Sequence, residues 1–185
     1  MQRIRVWLCT ALFCFGVVSM GTAIHVPKAY AQTATVSANV EFRVVSAEDF
    51  KALQGARLII IDRSGNVLTT GLTNSNGVWS VPLNVDVDPR FKDLGVVTAI
   101  CVANGHNEHV VFEVPVRQGT VQPITLYPIR PRLRNEASAT LGQLHHLDVI
   151  SIVDRYAQKV GLTRQPAIAG EAGYAPWSPA LKTGR

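Results

Sequence analysis

The chain is short of cysteine and of net charge, and it holds no apolar run long enough to cross a membrane comfortably. Its three cysteines are Cys9, Cys14 and Cys101, and the first two lie in an N-terminal leader. An exported form therefore keeps Cys101 alone, which excludes an intramolecular disulfide and leaves stability to a hydrophobic core. Within VVTAICVA, Cys101 reads as a small buried apolar residue rather than a reactive thiol or an intermolecular bridge.

The leader carries Arg3 and Arg5, an apolar run from Trp7 to Val18, and a small-x-small site at Ala29-Tyr30-Ala31. That order of features is a secretory signal peptide over residues 1–31, cleaved near Ala31, and a secreted or extracytoplasmic product is expected. The run falls short of the roughly 20 residues a membrane span needs, although an uncleaved anchor remains the alternative. Leu12-Phe13 before Cys14 is the wrong context for lipoprotein processing. Arg3, Arg5 and Lys28 leave with the leader and no acidic residue does, so the formal charge falls from +5 to +2. A chain so near neutrality argues against a nucleic-acid partner, which calls for a concentrated basic face.

Short runs rich in Val, Ile and Thr occupy residues 35–45, 56–62, 66–73, 78–83, 95–103, 109–116 and 121–127, separated by turn signals such as DRSGN, NSNG and ANGHN. Seven such runs predict a mainly β fold, a seven-stranded antiparallel β-sandwich over 33–129. RLIII and VVTAICV are nearly continuous and should be central strands covered on both faces. Pro82 and Pro115 should mark an edge or a bend. A Pro- and Arg-rich linker over 130–137 follows. An amphipathic helix comes next, within 138–161 and starting at Ser138 or Asp148, whose apolar stripe of Val149, Ile152, Val153, Tyr156 and Val160 is expected to dock on the sandwich or on a second copy. Gly161 supplies the stop. Residues 162–185 are rich in Pro, Gly and Ala and read as a disordered tail.

Gly55-Ala56, Thr69-Thr70, Thr73 and Gly77-Val78-Trp79, followed by Ala103-Asn104-Gly105-His106 and Leu126-Tyr127-Pro128, resemble the carboxypeptidase regulatory-like, or transthyretin-like, sandwich modules over residues 36–129. The loop from Asn84 to Leu94 and the His at 106 depart from that pattern. The resemblance implies a non-catalytic recognition or scaffolding role, with carbohydrate binding as the alternative, since the sandwich is also grouped with carbohydrate-binding-like folds. Enzymes exist on similar sandwiches. Hydroxyisourate hydrolases end in a Tyr-Arg-Gly-Ser type tail, whereas this sequence ends Lys182-Thr183-Gly184-Arg185, and the His-x-His pair of intradiol dioxygenases does not occur.

Four histidines remain after the leader, in the pairs His106/His109 and His145/His146, with Glu108 and Asp148 nearby. They are the candidate metal ligands and carry the second alternative, a metal-dependent hydrolase. Hydrogen-bonded or solvent-facing histidines are the preferred reading, and neither a metal nor a cofactor is expected. Asp86, Asp88 and Asp93 in one loop suit a solvated surface or a weak Ca²⁺ contact better than an acid and base pair. The binding candidates are Arg130, Arg132 and Arg134, whose guanidinium groups could meet phosphate or carboxylate polymers, and Tyr174 with Trp177, large aromatics that should dock. The expected partner is an envelope or extracellular protein, or a glycan, with self-association through the helix as a further option.

Overall fold

In a computed structural model, residues 34–140, 146–171 and 174–182 are described. The leader at 1–31 and His145 lie outside them. The seven apolar runs form β1 (Thr35–Ser46), β2 (Arg57–Ile61), β3 (Val67–Leu72), β4 (Val78–Asp86), β5 (Gly95–Val102), β6 (His109–Val116) and β7 (Val121–Leu126). After them come β8 (Ser138–Thr140), α1 (His146–Lys159), β9 (Leu162–Arg164) and β10 (Trp177–Leu181). No helix among the described residues is long and apolar enough to cross a membrane.

The strands build a three-stranded sheet in the order β4-β1-β7 and a five-stranded sheet in the order β3-β2-β5-β6-β8. Alternation in β1 sends Val40, Phe42 and Val44 to one face, where they meet Leu58, Ile60, Val97, Ala99 and Cys101 of the other sheet. That is the sandwich core. The expectation of a purely antiparallel, seven-stranded arrangement is corrected on two points. β7 runs parallel to β1 (Val44 beside Ile124) and β8 parallel to β6 (Val110 beside Ala139). Both pairings join strands far apart in the chain with no hairpin between them, so no turn residue announces their direction. The short strands β8, β9 and β10 also raise the count beyond seven.

A second core lies on the outer face of the five-stranded sheet. Every residue of β2 is buried, and Ile59, Ile61, Ile100, Val102 and Val110 face outward onto α1, β9 and β10. The continuous apolar runs at β2 and β5 thus have the two-sided burial their composition predicts. Val149, Val153 and Ala157 of α1 are buried there, and Ile152, Tyr156 and Val160 pack at the margin. At about 1.5–3 kcal/mol for each fully buried large apolar side chain, the stripe suffices to hold the helix. It is spent on this chain's own sheet. Asp148 in the first turn and Lys159 in the last suit the helix dipole, and Gly161, at φ 77°, ends the helix in the left-handed region.

The helix begins at His146, between the two starts the wheel allows. Ser138–Thr140 pair with His109–Val111 instead of extending it. The tail expected to be disordered is also corrected: residues 162–171 and 174–182 are placed, with β9 and β10 paired antiparallel and Leu162 and Trp177 buried. Low apolar periodicity concealed two anchors that reach one core. Pro82 and Pro123 sit in β4 and β7, the outer strands of the small sheet, and Pro115 lies in β6 beyond its contact with β8. Those positions need no further ladder donor.

Candidate recognition cleft and C-terminal clasp

The VANGHNEH stretch, residues 102–109, serves the C-terminal segment. Glu108, 2% exposed, accepts the Tyr174 hydroxyl at 2.5 Å and the backbone N–H of Trp177 at 2.6 Å. Burial pushes its carboxyl above the usual range, against the pull of those two donors. Burial and the neighbouring Glu108 carboxylate raise the Tyr174 phenol as well. Trp177 donates its indole N–H to Asp154 at 2.7 Å, and the Arg164 guanidinium lies 3.8 Å over its ring while pairing with the same Asp154. Gln165 accepts the Gly105 N–H and donates to the carbonyls of Ala103 and Trp177. Arg57 donates to the Pro179 carbonyl. Tyr174 and Trp177, binding candidates expected to dock, are brought together here as an internal clasp.

His106 and His109 do not converge. His106 Nδ1 contacts the Asn104 carbonyl oxygen of its own turn, while His109 sits between the hydroxyls of Ser138 (2.8 Å) and Thr140 (2.7 Å), its pKa lowered by burial. His146 opens α1. Among the described residues no group of three or more His, Cys, Asp or Glu is placed to hold a metal ion. In the acidic loop, Asp88 is buried and accepts hydrogen bonds from the Arg90 side chain and backbone N–H, which hold its pKa at about 2. Arg90 also reaches Glu113, whose positive φ marks a bulge between β5 and β6. Cys101 is fully buried, and burial raises its thiol pKa. Trp79 stacks on Phe42 with ring centroids 6.0 Å apart and lies so close over Gly71 that a Cβ there would meet the indole.

The arginine-rich connector over 130–137 is a folded loop in which residues 130–134 are exposed. Asn135, 8% exposed, shares its amide N–H groups among the carbonyls of Arg130 and Leu133 and the Glu171 carboxylate, and its oxygen accepts the Arg130 N–H. One side chain thereby sets the course of the loop. Beside it opens a cleft of about 440 Å³ whose lining includes Glu48, Tyr127, Arg130, Leu133, Arg134 and Asn135. Arg130 is paired with Glu48 at 3.4 Å and Arg134 with Glu136 at 2.8 Å. Arg132, with φ 70°, is not among the lining residues.

Three residues here escaped the sequence reading. Phe50, Tyr127 and Leu133, exposed by 74%, 60% and 57%, are the most exposed large apolar side chains among the described residues. Tyr127 and Leu133 line the cleft, and Phe50 sits two residues beyond Glu48 in the same turn. Phe50 is held at φ 56°, a left-handed backbone that a bulky residue seldom adopts. The only signal for Phe50 was its place in a polar turn, AEDFK.

No protein-family model matches the chain, and no curated protein matches it. Among solved structures it is similar to the Bacillus anthracis TIE protein, at 20% identity over 51% of this chain and 18% of that one, with a TM-score of 0.40. It is also similar to 3-chlorocatechol 1,2-dioxygenase from Rhodococcus opacus, at 11% identity over 54% and 62% of the two chains, with a TM-score of 0.37. The shaft pilin SpaA from Lactobacillus rhamnosus GG gives 14% identity, 53% and 52% coverage, and a TM-score of 0.35. The chain spans less than two thirds of each of these proteins. At such scores the likenesses bear on neither activity nor ligand.

Proposed function

We propose that the protein is an exported, non-catalytic binding or structural module of the carboxypeptidase regulatory-like kind, engaging an envelope or extracellular protein through the end of the sandwich that carries Phe50, Tyr127 and Leu133. The observation that carries this reading is that two exposed apolar side chains, Tyr127 and Leu133, line one cleft flanked by the Arg130–Glu48 and Arg134–Glu136 pairs, with the exposed Phe50 two residues beyond Glu48. Contiguous exposed apolar surface rimmed by charge is the usual mark of a protein-binding site. A glycan is the second reading, favoured by the exposed Tyr127 ring beside the planar polar groups of Arg130 and Asn135. Metal-assisted hydrolysis finds less support, because His106 and His109 are committed to separate local partners.

The test compares the parent with Tyr127→Ala/Leu133→Ala and with Leu181→Ala, an exposed control, for retention of one partner from the envelope fraction and for binding across a glycan panel. The double variant should lose roughly thirtyfold in affinity for the retained protein, as a loss at a binding hot spot does, while the control keeps it. Equal binding by all three proteins would sink the site, and a response confined to a glycan would move the reading to carbohydrate.

A further inference from the structure

The sheet edges are not protected alike. β4 and β7 carry Pro82 and Pro123, and β8 is three residues long. Prolines and short strands are the devices that stop edges from pairing with another chain. β3, the outer strand of the five-stranded sheet, has no proline and no charge in VLTTGL. Its ladder with β2 slips opposite Leu68, and from there Thr69 to Leu72 run in regular register with Ile60 to Arg57. Thr73 spends its N–H and C=O on Ala56 and Gly55. Antiparallel alternation therefore turns the N–H and C=O groups of Leu72 and Thr70 away from β2, onto the open side. Among the described residues no other strand pairs with that side.

We infer that the free edge of β3 is a self-pairing seam, at which a second copy of this chain adds its own β3 antiparallel about a two-fold axis through Thr70. Three features select a second copy. From Ser64 to Val85 the sequence holds no Asp, Glu, Lys, Arg or His, so β3 and β4 themselves bring no like charges to the seam. Leu68 and Leu72, 38% and 47% exposed, stand two residues either side of Thr70, and the two-fold axis sets Leu72 of one copy opposite Leu68 of the other. Trp79 of β4 covers Gly71 from within the sandwich, which stiffens the strand for an incoming partner. The seam uses neither the cleft nor the apolar stripe of α1, which packs on the outer core.

Sedimentation velocity of the purified chain up to about 100 µM should show a monomer–dimer equilibrium that added salt barely changes, because no charged pair crosses the seam. Leu72→Lys should weaken it roughly tenfold or more, in keeping with the use of lysine to block sheet edges, while Leu181→Lys leaves it unchanged and both variants melt with the parent. In the register test, Leu68→Cys and Leu72→Cys proteins are mixed under mild oxidation. Opposed residues of an antiparallel pair fall within disulfide reach, so the mixture should cross-link well beyond either variant alone, and the buried Cys101 does not compete. A parent that stays monomeric at about 100 µM, a Leu72→Lys variant that associates as the parent does, or a mixture that cross-links no better than its components would overturn the proposal.

Discussion

Glu108 Oε1 accepts the backbone N–H of Trp177 at 2.6 Å across a separation of 69 residues. A single buried carboxylate thus ties the C-terminal segment to the turn before β6, and Tyr174 closes the same carboxylate from its other oxygen. Around it, Asp154, Arg164 and Gln165 fix the Trp177 ring and backbone.

Removing that acceptor should release the clasp. Glu108→Ala leaves the Tyr174 hydroxyl and the Trp177 N–H without their partner and should cost about 3 kcal/mol in urea unfolding, whereas Glu108→Gln, which keeps one acceptor, should cost roughly half as much. Limited proteolysis beyond Arg164 should accelerate in the same order. An alanine variant with the parent's urea midpoint would show that the segment docks without Glu108.

Depth of burial, rather than membership of the apolar stripe, should rank the helix variants. Val153 is 1% exposed and Ile152 lies at the margin of the outer core. Val153→Asp should therefore cost about 3 kcal/mol or more, with Ile152→Asp well below it. Thermal melts of the two proteins give the comparison, and equal losses would contradict the placement of α1.

Two carboxylates should pull the pH dependence of stability in opposite directions. The Arg90 hydrogen bonds lower Asp88 from 3.8 to about 2, so its contribution is present above the unfolded value and is lost as pH falls through about 2. Asp88→Asn should flatten that acid limb. Glu108 is raised by burial, so its ionisation costs the folded state, and its contribution declines as pH rises from the ordinary value of 4.5 towards the raised one. Glu108→Gln should abolish that decline. Denaturant titrations from pH 2 to pH 7 distinguish the two, and an unaltered profile in either variant counts against the corresponding assignment.

What could be read from the sequence was the part written in local patterns. β1 declares its inward face by alternation, β2 and β5 declare two-sided burial by continuous apolar residues, and α1 carries its stripe at helical spacing. The prolines at 82 and 115 stand where a missing donor does no harm. The hidden part depends on partners remote in sequence. Ser138–Thr140 becomes a strand only because β6 lies beside it, and residues 162–171 and 174–182 are held by a few polar and aromatic anchors rather than by a periodic face. The candidate cleft was half visible. Arg130 and Arg134 were found by their spacing, but Phe50, Tyr127 and Leu133 are ordinary apolar residues until the fold leaves them uncovered.

The parallel pairing of β1 with β7 also sets a timetable. Glu41 is made long before its neighbour Val121, and the outer core waits longer still, for Trp177. At ordinary rates of synthesis that interval is on the order of ten seconds. Throughout it Phe42, Ile59 and Ile100 lack their final covering, so the nascent chain stays open and its apolar strands stay available to a holding chaperone until the sandwich can shut.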